Sequence, residues 1–327
     1  MTAIAFDNVY RAYQPGEYVL QGVSFRVTEG EVVGLLGKNG AGKTTLLRLA
    51  LGLLEPQKGS VRVFGQNPRR DAATVKQRIG YVAEDQDLPP FLTVNQVIEL
   101  HRCLYPAWDD RLVQSLGARF RLPASARVGQ LSKGQARQVA LLCAVAHRPD
   151  LLLLDEPAGG LDPAARREFL EASIELLNEN GTTIIFSSHH LTDVERMARR
   201  VVMIQSGYLY LDTEADELQE GYSLAVIPAG VVVDPDRLLE LHDCLGVRPR
   251  RGSVHAIFRC PPANCQSLLV RKLGITNARC VSLALEEMFV ELVGSIEPLD
   301  QSITSARVQG SPGESSNWKR EPAGGWS

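Results

Sequence analysis

Three separated runs carry residue types suited to handling phosphate. The octapeptide Gly37-Lys38-Asn39-Gly40-Ala41-Gly42-Lys43-Thr44 follows an apolar stretch and opens a helical one. In that setting glycines let main-chain N–H groups turn inward around phosphate oxygens, and the helix start adds positive potential. Lys43 then reaches the terminal phosphates, and Thr44 is placed to ligate Mg²⁺. Farther along, the apolar run Leu151-Leu152-Leu153-Leu154 ends in Asp155-Glu156-Pro157. Two adjacent carboxylates at the end of a buried strand are costly unless a metal or hydrogen bonds use them; the plainer reading is that they merely end the strand. The third run, Leu131-Ser132-Lys133-Gly134-Gln135, lies just upstream of that strand. Gly134 permits close main-chain approach there, and Ser132 either donates to a phosphate or simply caps the helix that follows.

The elements that must hold these groups are legible in outline. Ala3 to Val9, Val19 to Val27, Val32 to Leu36 and Val61 to Phe64 read as strands. Val32-Val33-Gly34-Leu35-Leu36 is apolar without alternation, as a strand covered on both faces should be, and Thr44 to Ala50 reads as helix. From about Thr93 to Ala146 the pattern is helical, and Ala136, Val139, Ala140 and Cys143 mark an amphipathic helix after the Ser132 run. The α/β pattern resumes with the strand into Asp155, a helix from Ala164 to Asn180 packed through Phe169, Leu170, Ile174 and Leu177, and a strand from Thr182 to Phe186. After Gly221 the texture changes to shorter candidates at Leu224 to Ile227, Pro235 to Cys244, Ser253 to Phe258, Ala263 to Leu273 and Leu285 to Val293. From Ser295 the chain turns to Ser, Gly and Pro with few large apolar groups, the composition of a disordered tail.

Composition removes several function classes. The chain has 327 residues with 22% charged and a net charge of -3, so no basic excess announces nucleic acid as a partner. Arg69-Arg70, Arg199-Arg200 and the cluster from Arg248 to Arg251 read as solvated surface. No apolar run approaches the ~18 to 20 residues needed to span a bilayer, and the N-terminus lacks a basic segment followed by an apolar core. Six cysteines without a paired framework imply free thiols in a reducing compartment.

The phosphate loop, the Ser132 run and the Asp-Glu pair, in this order, resemble the ATPase subunit of an ABC (ATP-binding cassette) transporter. The resemblance covers roughly residues 1 to 220. It implies an α/β P-loop ATPase core (1–220) with a mixed sheet and a helical subdomain at about 86–147, followed by a small α+β appendage (221–294) and the tail (295–327). It implies ATP and Mg²⁺ as cofactors. Gly37, Asn39, Gly40, Ala41, Gly42, Lys43, Thr44 and Thr45 would cradle the phosphates, with Asp155 holding Mg²⁺ through water beside Thr44. Glu156 would polarise the attacking water, and His189, in Ser187-Ser188-His189-His190, would contact the γ-phosphate, with Lys43 completing the catalytic set. Tyr13 would stack on adenine, with Tyr10 and Tyr18 as rivals. Ser132, Gly134 and Gln135, together with Asp162 of Gly160-Leu161-Asp162, would meet ATP bound to an opposite subunit, so that two ATPs lie between two ATPase domains.

Two positions depart from the family's commoner pattern. Lys133 replaces the second signature glycine, and Glu84 stands where glutamine is frequent, so Glu84 is a candidate metal neighbour with Gln86 as a substitute. Lys133, Glu84 and the stretch Leu283 to Leu292 resemble exporter-type members. The resemblance therefore implies a second ATPase subunit, identical or not, a membrane-embedded permease contacted around Glu84 to Pro106, no nucleic acid, and a cytoplasmic position at the inner face of the membrane. The alternative is an ABC ATPase of translation or DNA maintenance, against which stand a single motif set and the lack of sustained heptads.

Overall fold

Alternating apolar and polar residues at the start of the chain produce a three-stranded antiparallel sheet. In this computed structural model, which describes residues 1–85, 88–159, 161, 163–189, 191–228, 230, 234–250 and 252–283, β1 (Thr2–Gln14) lies between β2 (Glu17–Thr28) and β4 (Lys58–Val63). Its inward residues, among them Ile4, Phe6, Leu20, Val23 and Val63, are fully or almost fully buried.

The second sheet positions the chemistry. Its order is β5 (Ile79–Val82), β6 (Leu151–Leu154), β7 (Thr183–Ser188), β3 (Val32–Leu36), β8 (Arg200–Gln205) and β9 (Tyr208–Glu214). The first five are parallel and β9 returns antiparallel on β8. β3, β6 and β7 are buried along their whole length, because their alternate side chains feed two different cores. Val33, Leu35, Leu151, Leu153 and Ile185 face the core shared with the first sheet, while Leu36, Leu152, Leu154, Ile184 and Phe186 face the other.

Helices cover that second face. After α1 (Lys43–Ala50) and α2 (Ala72–Lys76), α3 (Val94–Arg102) starts at Thr93 in a capping box with Gln96, and α4 (Asp110–Arg119) starts at Asp109, whose carboxylate accepts from the Arg111 and Leu112 amides. α5 (Lys133–Val145) differs from the expected amphipathic helix, since every residue from Gln138 to Val145 is buried. It is enclosed by β5, α3, α4 and α6 (Pro163–Asn180), so no face of its C-terminal half meets water. In α6, Phe169 and Leu170 are buried as expected; the side chains of Ile174 and Leu177 lie outside the described residues.

α7 (Leu191–Met197) and α8 (Ala215–Glu220) lead to a third, antiparallel sheet in the order β11 (Cys244–Arg250), β12 (Ser253–Phe258), β10 (Ser223–Pro228), β13 (Arg279–Ser282). With α9 (Pro235–Leu239) and α10 (Pro262–Leu273) it encloses a small core of Ala225, Ile227, Phe258, Cys265 and Leu269. Its opposite side contributes Tyr222, Leu224, Ile257 and Leu283 to the main core. The candidate element at Leu285 to Val293 and the tail from Ser295 lie outside the described residues.

One expectation about charge is corrected. Arg200 is no solvated surface arginine: its guanidinium pairs with Asp212 on β9 at 2.6 Å and with Glu31 at 2.9 Å, and its side chain is only 19% exposed. The two carboxylates hold its pKa above the ordinary value, Asp212 contributing most. All six cysteines are free thiols, with the sulfurs of Cys265 and Cys280 3.4 Å apart. Among the described residues no helix is long and apolar enough to cross a membrane.

Candidate nucleotide and catalytic site

The loop between β3 and α1 is fixed by its backbone. Gly42, the N-cap of α1, has φ 111°, and a Cβ there would stand 2.6 Å from Leu20 Cδ2 and 3.0 Å from the Val19 carbonyl oxygen. Conformation and space both demand glycine. The turn tucks in Lys43, which is 5% exposed, and leaves Asn39 and Gly40 facing solvent. Lys43 Nζ donates to the carbonyls of Gly37 at 2.7 Å and Lys38 at 3.2 Å, and pairs with Glu156 Oε1 at 3.2 Å. Thr45 Oγ1 lies 3.2 Å from the hydroxyl of Tyr13, whose ring is half exposed beside the loop. Of its rivals, Tyr10 packs edge-on against Tyr18.

β6 ends beside this loop because it sits two strands from β3 in the sheet. Asp155 Oδ1 accepts from Thr44 Oγ1 at 3.0 Å and from Ser187 Oγ at 2.8 Å, and the Glu156 amide donates to the same serine oxygen at 2.7 Å. Glu156 has φ 45°, a left-handed conformation that is costly for a residue with a side chain. Its carboxylate lies between Lys43, whose Nζ forms an ion pair with Oε1 at 3.2 Å, and His189 Nδ1, 2.8 Å from Oε2. Burial raises the Asp155 carboxyl above its ordinary range, against the opposing hydrogen bonds from Ser187 and Thr44. Burial, then the charges of Asp155 and Glu156, raise that of Glu84 as well. Tyr81, on β5, is pushed up to about 12 by burial with Asp155 adding to it.

Lys43, Thr44, Asp155, Glu156 and His189 thus form one connected network. Ser132, Gly134 and Gln135 do not join it; they line a separate open depression of about 740 Å³ with Gln138, Ala165 and Glu168. Ser132 does cap α5, accepting from the Gln135 amide at 3.1 Å while its own amide donates to Gln135 Oε1. A Cβ on Gly134 would meet Ala165, Leu161 and Ser132 Oγ at ordinary contact distances of 3.4, 3.7 and 3.8 Å. Packing among the described residues does not demand glycine there. Asp162, Gly160, Gln86 and His190 lie outside the described residues.

Two residues of this network carried no assignment in sequence. Ser187 links Asp155 to the Glu156 amide; its only signal was its place at the end of an apolar strand. Arg137, in α5, donates to the carbonyls of Glu156, Pro157 and Gly159 and contacts that of Glu84. Flanked by Ala136 and Gln138, it reads in sequence as one more polar residue of the helix start.

The donors fit Mg²⁺ rather than a softer metal. Thr44 and Asp155 offer hard oxygens, and no group of three or more His, Cys, Asp or Glu that could hold a metal occurs among the described residues. Mg²⁺ suits such a site, since it binds through one or two protein oxygens and takes the remainder from phosphates and water.

Comparison with known proteins bears on what this network serves. The family model described as ABC transporter matches residues 20–159. Nod factor export ATP-binding protein I of Burkholderia pseudomallei (strain 1710b) is 38% identical over 306 residues, covering 89% of this chain and 97% of that protein. The chain belongs to the ABC transporter ATP-binding proteins. This ABC ATPase binds and hydrolyses ATP. Its fold is shared with a solved ATP-binding subunit of an ABC transporter (TM-score 0.61, 29% identity, 66% of this chain and 92% of the other). It is shared also with MJ0796, described as a bacterial ABC transporter cassette in a dimeric structure (TM-score 0.59, 26% identity, 65% and 98% covered).

Proposed function

We propose that this ABC ATPase works in pairs, closes two MgATP between its subunits, and so drives export through a separate membrane-embedded permease at the inner face of the membrane. Within each site Lys43 neutralises the β- and γ-phosphates and the loop amides from Gly37 to Thr45 cradle them. Tyr13 offers its exposed ring to adenine. Thr44 and, through water, Asp155 would hold Mg²⁺, with Glu84 beside them, and the ion would supply positive charge to offset that on the phosphoryl oxygens. Glu156 takes the proton of the attacking water, and His189 orients that carboxylate and the γ-phosphate.

The Lys43–Glu156–His189 contact supports this division of labour. One carboxylate occupies the place between two donors where a γ-phosphate would be bound, so an arriving phosphate competes for both and frees Glu156 for water. Ser132, Gly134 and Gln135 sit apart from this network, and packing among the described residues does not require glycine at 134. Both facts support contact with ATP on a second subunit, as does the dimeric structure of the related cassette. Asp162 is assigned to the same contact. Export, rather than import, is favoured by the export protein that is similar over nearly the whole chain.

The observation that carries the permease reading is a groove of about 280 Å³ between the ATPase core and the helical region, lined by Leu51, Leu53, Ile79, Tyr81, His101 and Tyr105. Leu53 is 55% exposed, and Leu100 and Leu104, neighbours of His101 and Tyr105 in sequence, are 47% and 65% exposed. An apolar rim of this kind fits a short amphipathic helix from a membrane protein. Phe91, in the Glu84 to Pro106 stretch, is 71% exposed.

The test is co-expression with the membrane protein encoded beside this gene. The wild type is expected in the membrane fraction, and Leu104→Asp is expected to release it while leaving ATPase activity intact. Fractionation of the wild type with ribosomes or nucleic acid instead would overturn the transporter reading in favour of the translation or DNA-maintenance class.

A further inference from the structure

Arg137 stands in the second turn of α5, the helix that begins with the Ser132 run. Its Nη1 donates to three carbonyls of the loop after β6: Glu156 at 2.9 Å, Pro157 at 3.1 Å and Gly159 at 2.8 Å. Its Nη2 contacts the carbonyl of Glu84, at the exit of β5. The loop is closed tightly on this cation. The Gly159 amide donates to the Glu156 carbonyl at 3.0 Å, and a Cβ on Gly159 would stand 3.2 Å from that carbonyl oxygen and 3.8 Å from Arg137 Nη1.

The peptide groups on both sides of Glu156 are therefore anchored by different elements. The amide before it is held by Ser187 of β7, and the carbonyl after it by Arg137 of α5. Between the anchors the backbone keeps φ at 45°, a conformation that persists only where its surroundings impose it. Three carbonyl dipoles directed at one half-buried guanidinium would repel one another without it. A lysine ammonium could serve one side of this arrangement but not both, because its donors radiate from one point.

We propose that Arg137 is a positioning residue for hydrolysis: it locks the Glu156 backbone to α5 and to the Glu84 main chain, so that movement of either is transmitted to the catalytic carboxylate. This deepens the reading of Glu156 as the base and rests on it. Arg137 acts through main-chain carbonyls and so sets where Glu156 stands.

The test compares Arg137→Met and Arg137→Lys in the full-length protein, measuring steady-state ATPase and equilibrium MgATP binding. A displacement of the base by about 1 Å costs up to about 10²-fold, so Arg137→Met is expected to lose about 10- to 100-fold in kcat. Its MgATP affinity should stay within about threefold of wild type, because the phosphate loop is untouched. Arg137→Lys should be intermediate in kcat and unchanged in affinity. A merely structural arginine would lower melting temperature while sparing kcat per folded molecule, and wild-type turnover in Arg137→Met, or an affinity loss matching the kcat loss, overturns the proposal. If Arg137→Met does not fold, wild-type kcat in Arg137→Lys overturns it equally. Glu156→Gln keeps the two readings apart: wild-type turnover there removes the base assignment itself, whereas an inactive Glu156→Gln beside a fully active Arg137→Met removes only the role of Arg137.

Discussion

Replacing Lys43 with methionine keeps the apolar stem and removes only the ammonium, which isolates what that charge does before any nucleotide binds. The Glu156 side chain is 5% exposed and faces two donors, Lys43 at 3.2 Å and His189 at 2.8 Å. Removing one partner of a buried ion pair costs about 3–5 kcal/mol, because the other charge stays desolvated; with His189 still donating, the expectation is the lower end, about 3 kcal/mol. At about 2.1 cal/mol/K of unfolding entropy per residue, a chain of 327 residues would then lose roughly 4 °C in Tm. The cost comes from the stranded carboxylate, so adding Glu156→Gln should return more than half of it. Thermal unfolding of the wild type, both single variants and the double variant, without nucleotide and at neutral pH, gives the coupling directly. A double variant no more stable than Lys43→Met, or a fall of under about 2 °C for Lys43→Met itself, would show that the pair does not hold the two side chains together in solution.

Three further outcomes are expected. His147, 4% exposed and stacked on Tyr105, has its pKa lowered from 6.5 to about 4 by burial. Its neutral form is favoured in the fold, so stability is full above pH 6.5 and falls as pH drops through about 4, by about 3 kcal/mol at most. Urea midpoints at neutral and acid pH should show that slope in the wild type and lose it in His147→Phe; equal slopes would contradict it. The Glu84 carboxyl lies above its ordinary 4.5, so its proton must leave before Mg²⁺ approaches and apparent Mg²⁺ affinity should rise with pH above that value. Glu84→Gln should flatten this rise while leaving ATP affinity within a few-fold, and an unchanged Mg²⁺ titration would make Glu84 an ordinary surface carboxylate. Mixing Lys43→Ala chains with Ser132→Arg chains places both lesions in one composite site and leaves the other intact, so labelled ATP binding should partly recover in the mixture; no recovery would argue against sharing of sites.

The phosphate loop and the Asp155-Glu156 pair were legible because each breaks the local pattern: glycines stand where a strand meets a helix, and carboxylates where a strand is otherwise apolar. Their companions were harder. Ser187 and Arg137 act through main-chain atoms of residues distant in sequence, 31 positions away for the Ser187 bond to the Glu156 amide. No periodicity records such contacts. Arg200 looked like surface because charge and neighbouring arginine suggested it, whereas strand order brings Asp212 and Glu31 onto it. α5 misled for the opposite reason: its spacing marks one apolar face, but enclosure by a strand and three helices buries the remainder. The edge strands β11 and β13 escaped notice since Pro249 and a four-residue length blur alternation. That Ser132 caps α5 was one of two readings open in sequence, and the cap geometry leaves its outward role compatible with it.

Two chains are expected to close around two ATPs. Native mass spectrometry of Glu156→Gln with saturating MgATP tests it most directly, since loss of the base should trap the closed form. A dimer carrying two ATPs, reverting to monomer when Ser132→Arg is added, is the expected result. A monomer that binds one ATP and never pairs, at concentrations where the phosphate loop is fully occupied, would contradict it.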